Sequence, residues 1–325
     1  MTNSAGAAVQ NSVAENAAGE GSGPDNGPAA ATSASDVERG SADRFETPSG
    51  KNEKTENFPV GSFLLAPEHR PHVATYYAFA RAIDDIADDP ALPAFEKISR
   101  LRGYEAALVN DIPPGEGYDK ATALRSSMVE TGVPTKHGVD LVAAFIQDAE
   151  KNRYATWDEL LGYCALSANP VGRYLLDLHG EDPQAYRYSD ALCTVLQIVN
   201  HLQDCREDLD EIDRVYVIGN WMTKESVVVD DIAGAQLTPG LRKVVDQMLD
   251  GCDALMQDAR KLPSALQSKR LAMESAVIVR IADRLIALLR AQDPLAMRVK
   301  LSKFDVAVAG LSGSIAGFFS SGKGA

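Results

Sequence analysis

From Pro67 onward, apolar side chains recur every three to four positions, the period that gives an α-helix one buried face. The pattern predicts helices over residues 67–88, 94–110, 119–131, 137–152, 157–168, 170–179, 184–211, 238–260, 264–292 and 297–312. Helix-stopping residues fill the gaps: Pro90, the PPGEG run at 113–117, Gly132-Val133-Pro134, Asn169-Pro170, Gly180 and Pro294. Strand-like runs are confined to VYVIG at 215–219 and SVVV at 226–229, too isolated to make a sheet. The fold class is all-α, with too many helices for a simple four-helix bundle.

The ends of the chain break this pattern. Residues 1–48 are Ala, Gly, Ser and Asn with scattered acids, and carry no periodic apolar face, which predicts a disordered low-complexity tail. They lack a basic start and an apolar core, so they do not read as a secretory signal, and they hold too little Arg for a transit peptide. Residues 49–312 read as one helical domain and 313–325 as a flexible C-terminal tail. No run reaches the roughly 20 apolar residues that span a bilayer. The nearest, VAVAGLSGSIAGFF at 306–319, reads as a helix end packed on the domain or as a surface touching membrane, with packing preferred.

Two of the predicted helices carry a polar stripe beside the apolar one. In YYAFARAIDDIADD, residues 76–89, Tyr77, Arg81, Asp84 and Asp88 share one face. Val73, Tyr76, Ala80, Ile83 and Ala87 share the face next to it. In LQIVNHLQDCREDLDEID, residues 196–213, Gln197, Asn200, Asp204 and Asp208 align, opposite Val195, Ile198, Val199, Leu202, Cys205 and Leu209. Like charges four residues apart repel by a few tenths of a kcal/mol, about the size of one helix pair. No Lys is interleaved with the first set. Each stripe alone fits a solvated face; two in one chain, each with Asp at i and i+4, point to cation binding.

Composition narrows the partners. The 325 residues are 45% hydrophobic, enough for a real core, and the net charge is −14. Such a balance argues against nucleic acid and against purely electrostatic binding to an anionic membrane. An anionic substrate would need intervening metal ions. Cys164, Cys193, Cys205 and Cys252 are widely spaced within apolar runs, which fits reduced thiols in a cytoplasmic protein. His69, His72, His137, His179 and His201 show no metal spacing, and His201 reads as decoration of its helix. Asp89 and Asp210 read as solvated.

Paired carboxylates four apart on a helix suit Mg²⁺, which keeps several waters and bridges a few carboxylates to substrate phosphate oxygens. Two such pairs on facing helices would clamp a diphosphate between ions, neutralising it as a leaving group. An acidic protein thereby gains affinity for an acidic substrate.

Three blocks carry a resemblance. NFPVGSFLLAPEHRPHVATYYAFARAIDDIADD, ELLGYCALSANPVGRYLL and LQIVNHLQDCREDLDEIDRVYV resemble the squalene/phytoene synthase family of head-to-head prenyl synthases, in the family's order and spacing over residues 50–310. ENFPVGS, DDIADD and the late RVKLSKFD are most similar to its hopanoid-pathway branch. That resemblance implies an isoprenoid-synthase-type helical bundle around a central cavity. It implies Mg²⁺, two or three ions with the substrate diphosphate, and conversion of presqualene diphosphate to hydroxysqualene without NADPH. It further implies a prenyl diphosphate as partner, peripheral contact with the inner membrane, and association with other squalene-pathway enzymes.

Position by position, the resemblance makes Asp84, Asp85 and Asp88 the first metal-binding aspartates and Asp204 and Asp208 the second. Tyr77 and Arg81 match substrate- and diphosphate-contacting residues, and Tyr163 the tyrosine that assists ionisation. Val171 and Gly172 match a small pair lining the prenyl tunnel. Gln197, Asn200, Arg214 and Tyr216 match polar and aromatic groups flanking the second motif. Phe58 matches the start of the domain, where Thr55-Glu56-Asn57-Phe58 stands for the family's Ser-x-Ser-Phe. Gln203 stands where an arginine is usual, removing one positive partner of the diphosphate, and Val217-Ile218 replaces Leu-Pro, so that loop should turn differently.

Other readings of single residues stay open: Arg81 can pair with Asp84 or Asp85 on its own helix, and Tyr77 and Tyr163 can be core tyrosines. Ser167 and the cysteines lack His and acid partners for nucleophilic catalysis. No G-x-G-x-x-G occurs in the helical part, a minor point against a hydride quench because NADPH-using relatives lack it too. Alternatives are condensation of two prenyl diphosphates to presqualene diphosphate, dehydrosqualene or phytoene, and an inactive scaffold of the same fold.

Overall fold

The computed structural model describes residues 65–110, 117–302, 305 and 308–310. Phe58, the N-terminal tail 1–48, the tail 313–325 and most of the 306–319 apolar stretch lie outside the described residues.

The helices follow the sequence punctuation closely. They are α1 Arg70–Asp88, α2 Ala94–Val109, α3 Asp119–Thr131, α4 Lys136–Asp148, α5 Trp157–Ser167, α6 Asn169–Leu178, α7 Tyr186–Gln203, α8 Cys205–Ile212, α9 Gly219–Lys224, α10 Pro239–Ala259, α11 Leu262–Ala265 and α12 Lys269–Ala291. Capping explains several starts. Thr156, Thr238 and Ser268 each accept a hydrogen bond from the backbone N–H three residues on, satisfying a donor the helix itself cannot. Glu181 adds a second-layer cap on α12, accepting from the N–H groups of Gln267 and Ser268 at 2.7 Å each. At the other end, α3 stops at Gly132 with φ 74°, a left-handed residue that closes the helix without a Cβ clash.

Two groups of helices make the body. In the first, α1 packs on α2, α3 and α4. In the second, α7 is central and packs on α5, α6, α10 and α12. The groups join where α4 meets α5 and α6. Apolar residues from both form one continuous core, from Phe79, Ile83 and Leu101 to Ile198, Met248 and Leu285.

Four predicted elements differ, one of them the helix over 297–312, whose residues 297–302 are non-helical. The helix over 184–211 is broken at Asp204, whose backbone (φ −103°, ψ 10°) ends α7 and starts α8. The predicted helix over 264–292 is two pieces, because Leu266 is extended (φ −93°, ψ 143°) after Pro263-initiated α11. In the VYVIG run, Val215 to Ile218 are neither strand nor helix: they are buried and stitched along 152–155 by Val215 N–H to the Asn152 carbonyl and Gly219 N–H to the Tyr154 carbonyl, both 2.9 Å. Among the described residues there is no strand, only one isolated bridge between Arg153 and Val215. Asp213 turns the chain into this segment from the left-handed region (φ 52°), a place Asp tolerates, and Arg153 and Asn152 hold its carboxylate.

Candidate active site

A cavity of about 350 Å³ runs between the two helix groups, and the polar stripes of α1 and α7–α8 both face it. Tyr77, Arg81, Asp84 and Asp88 reach it from α1; Gln197, Asn200, Asp204 and Asp208 reach it from the opposite side. The stripes therefore face one chamber rather than water. Val73, Phe145, Val171, Leu175 and Ile278 form apolar wall. Although the helix breaks at Asp204, the Asp208 N–H still donates to the Asp204 carbonyl at 2.8 Å, so the i, i+4 relation survives the break.

The two arginines on the cavity wall are tied to its carboxylates. Arg81 donates to Asp84 at 2.8 Å and to Asp85 at 3.3 Å, as both in-helix pairings allow. Asp85 itself is not part of the cavity wall; its place is behind Arg81. Arg214 donates to Asp88 at 2.8 Å and to the Ala87 carbonyl at 3.3 Å, crossing from the second helix group to the first. Burial works against the charge on Arg214, but Asp148, Tyr216 and Asp88 outweigh it and hold the guanidinium firmly protonated.

Below this layer lies a buried polar network. Tyr163, which lines the cavity, donates to Asp148 at 2.8 Å and sits 3.5 Å from the Tyr216 hydroxyl. Burial raises Asp148 from 3.8 to about 7, overcoming the opposite pull of Arg214 and of the Tyr163 hydroxyl. Its second oxygen is 4.0 Å from Arg214 Nε, an electrostatic contact longer than a hydrogen bond. Burial also raises the Tyr163 and Tyr216 phenols well above 10, so both remain neutral donors. His201 stacks on Tyr216 with ring centroids 3.4 Å apart, meets Gln197 at 3.0 Å and lies 3.7 Å from Asp208. It is a buried wall residue, not decoration of its helix.

Two expectations are corrected by position. Gly172 faces α7: a Cβ there would lie 2.2 Å from Ser189 Oγ and 2.7 Å from Cys193 Sγ. The glycine permits close helix packing, while its neighbour Val171 lines the cavity. Gln203 points away from the cavity and donates to the Val299 carbonyl at 2.6 Å, so its difference from arginine does not alter the diphosphate-facing wall. Sequence reasoning missed Asp148 and Glu274, and dismissed His201 and Ser167, all four of which line the chamber. Asp148 was readable in principle, because it falls at i+7 from Leu141 and i+3 from Phe145 on an apolar stripe. All four cysteines are free, as expected of reduced thiols.

The donor set suits a hard divalent cation: Asp84 and Asp88 on one side, Asp204 and Asp208 on the other, all oxygen ligands. Among the described residues, no three His, Cys, Asp or Glu side chains converge closely enough to hold a metal by themselves.

Fold and chamber together define a helical isoprenoid synthase. The chain belongs to the squalene/phytoene synthase family, whose pattern it matches over residues 51–305. It is 39% identical over 264 residues to the hydroxysqualene synthase of Rhodopseudomonas palustris, covering 81% of this chain and 89% of that one. It is 36% identical to that of Zymomonas mobilis, covering 79% and 86%. Among solved structures, a squalene synthase from Alicyclobacillus acidocaldarius superposes with a TM-score of 0.64 at 32% identity, over 72% of this chain and 87% of that one. A dehydrosqualene synthase bound to a ligand superposes at 0.70 with 19% identity, a likeness of fold.

Proposed function

We propose that this enzyme converts presqualene diphosphate to hydroxysqualene in the hopanoid route, with Mg²⁺ held by Asp84, Asp88, Asp204 and Asp208. The observation that carries the reading is the meeting of both aspartate pairs at one chamber, in a chain 35–39% identical to three hydroxysqualene synthases. When bound, Mg²⁺ supplies Lewis-acid neutralisation of the departing diphosphate.

The chain's own residues do the rest. Arg81 and Arg214 place fixed positive charge beside Asp84 and Asp88, where a diphosphate would add negative charge. Tyr163, kept neutral by burial and oriented by Asp148, presents an aromatic face and a fixed hydroxyl to the chamber. Tyr77, Tyr76 and Tyr174 line the same chamber, and their faces attract a carbocation through the ring quadrupole. The apolar wall, with Val171 and Leu175, holds the hydrocarbon and limits water.

Incubation of the protein with presqualene diphosphate and Mg²⁺ tests this directly. Hydroxysqualene carrying oxygen from labelled water is the expected product. Condensation of two farnesyl diphosphates as the main reaction would move the assignment to a sister activity of the same family. The peripheral membrane contact belongs to the same proposal; no described helix is long and apolar enough to cross a membrane.

A further inference from the structure

Among the described residues, His201 is the only histidine on the chamber wall, and its ring is held from two sides. It stacks on Tyr216 with the planes 15° apart, and its Nε2 meets Gln197 Nε2 at 3.0 Å. With the Gln197 amide donating to Nε2, the ring hydrogen sits on Nδ1. That nitrogen bonds nothing among the described residues: the Asp208 carboxylate, at 3.7 Å, is beyond hydrogen-bond range. Buried polar atoms normally find a partner. Others that lack one, Ser167 Oγ and His179 Nε2, are sealed within the fold. His201 Nδ1 is not among the sealed atoms, and 11% of its side chain stays open, on the chamber that it lines. Ring and carboxylate therefore border one polar recess in the wall. Where two polar groups stand just too far apart to bond, a water can serve both. A water at the mouth of this recess reaches Nδ1 and the Asp208 oxygen at about 2.8 Å each, an ordinary hydrogen-bond length. It accepts from Nδ1–H and donates to the carboxylate, which leaves one lone pair turned into the chamber.

We propose that His201, together with Asp208, positions the water that captures the carbocation, and so favours an alcohol over a hydrocarbon as product. This rests on the hydroxysqualene reading above. After ionisation the C–O bond electrons leave with the diphosphate. The water oxygen then forms the new C–O bond as a cyclopropane C–C bond breaks and its electron pair neutralises the cationic carbon, giving the acyclic skeleton. The proton lost from the resulting oxonium goes to the released diphosphate; His201 takes no proton in this step. No oxidant or reductant is needed. Without a held water, the same cation ends by losing a carbon-bound proton to give a hydrocarbon. Asp208 belongs to the aspartate pair at the polar end of the chamber, so a water held there leaves the wall of Val171, Leu175 and Ile278 dry.

His201→Phe keeps a flat ring against Tyr216 and removes both nitrogens, whereas His201→Asn keeps an N–H donor near the place of Nδ1. Both are compared with wild type on presqualene diphosphate, Mg²⁺ and labelled water, reading the hydrocarbon-to-alcohol ratio and diphosphate release in parallel, with a thermal melt of each variant. In His201→Phe the ratio should rise by about fivefold, the value of one net hydrogen bond. Diphosphate release should fall by less than the ratio shifts, because the aspartates and arginines around the leaving group are unaltered. His201→Asn should lie between His201→Phe and wild type. A crystal structure of the wild type with Mg²⁺ and inorganic diphosphate should show an ordered water bonded to both Nδ1 and Asp208, a result that stands even if His201→Phe does not fold. An unchanged ratio in His201→Phe, a His201→Asn ratio no closer to wild type, or no water at Nδ1 in that crystal structure overturns the assignment. Wild-type protein that makes no alcohol overturns the functional reading instead, and the two failures are told apart by the wild-type product alone.

Discussion

Asp148 shows how a single buried carboxylate can serve the site at a cost to the fold. It retains its proton up to about 7 in the folded protein but only to about 3.8 when exposed. Between those values the folded state binds more protons than the unfolded one, so this group's contribution to stability declines as pH rises from about 4 to about 7 and is level above. Asp148→Asn, which keeps an acceptor for Tyr163, should flatten that slope and melt higher than wild type above pH 7. Urea or thermal melts across pH 5 to 8 (a range chosen to bracket the raised value) read this, and a variant less stable than wild type at pH 8 would refute it. Above pH 7 the same change should lower turnover by about 10- to 100-fold, because Arg214 loses the carboxylate charge 4.0 Å from its Nε and Tyr163 keeps only a neutral acceptor.

The cavity-facing aspartates should behave in the opposite way. Asp84→Asn or Asp208→Asn should reduce turnover by about 100-fold or more, the loss expected when groups that neutralise the leaving group are removed. Far-UV circular dichroism should be unchanged, since neither side chain is in the core and Arg81 keeps Asp85 as a partner. Full activity in both variants would end the metal-clamp reading.

Between helices, the determinants are contacts that periodicity does not record. Stripes at 3.6 residues per turn gave the helices and named eight of the cavity-facing residues, because burial and spacing are local properties of the sequence. The break at Asp204 and the short helix α9 depend on where the chain must turn to pack, whereas the split after α11 is marked locally by Pro263 and the Ser268 cap. Gly172 is the clearest case: the family resemblance assigns it to a tunnel, and its packing assigns it to the α6–α7 crossing. Gly172→Ala should therefore destabilise the protein by about 1–3 kcal/mol, the usual cost of overpacking, with KM for substrate nearly unaltered in the folded fraction. A variant with wild-type melting temperature and altered product would return the residue to the tunnel wall.

For the molecule as a whole, the question is how a chain with net charge −14 holds a diphosphate at all. Among the described residues, the cavity wall has two permanently cationic side chains, Arg81 and Arg214, and each is already bonded to an aspartate. On the proposed reading, anchoring therefore falls to cations held by the two aspartate pairs that flank the chamber. On that reading a single diphosphate completes the arrangement, and a second meets no further basic group in the described wall. The protein should therefore bind Mg²⁺ weakly alone and more tightly with inorganic diphosphate present, which calorimetry can compare. Presqualene diphosphate should be turned over readily, and farnesyl diphosphate alone should give little product. Added NADPH should leave the product unchanged, because its phosphates face the same shortage of positive charge and its hydride would not be held within reach of the cation. Squalene formed on adding NADPH, or rapid consumption of farnesyl diphosphate, would show that a second anionic group finds an anchor, and would place the enzyme with the condensing branch of its family.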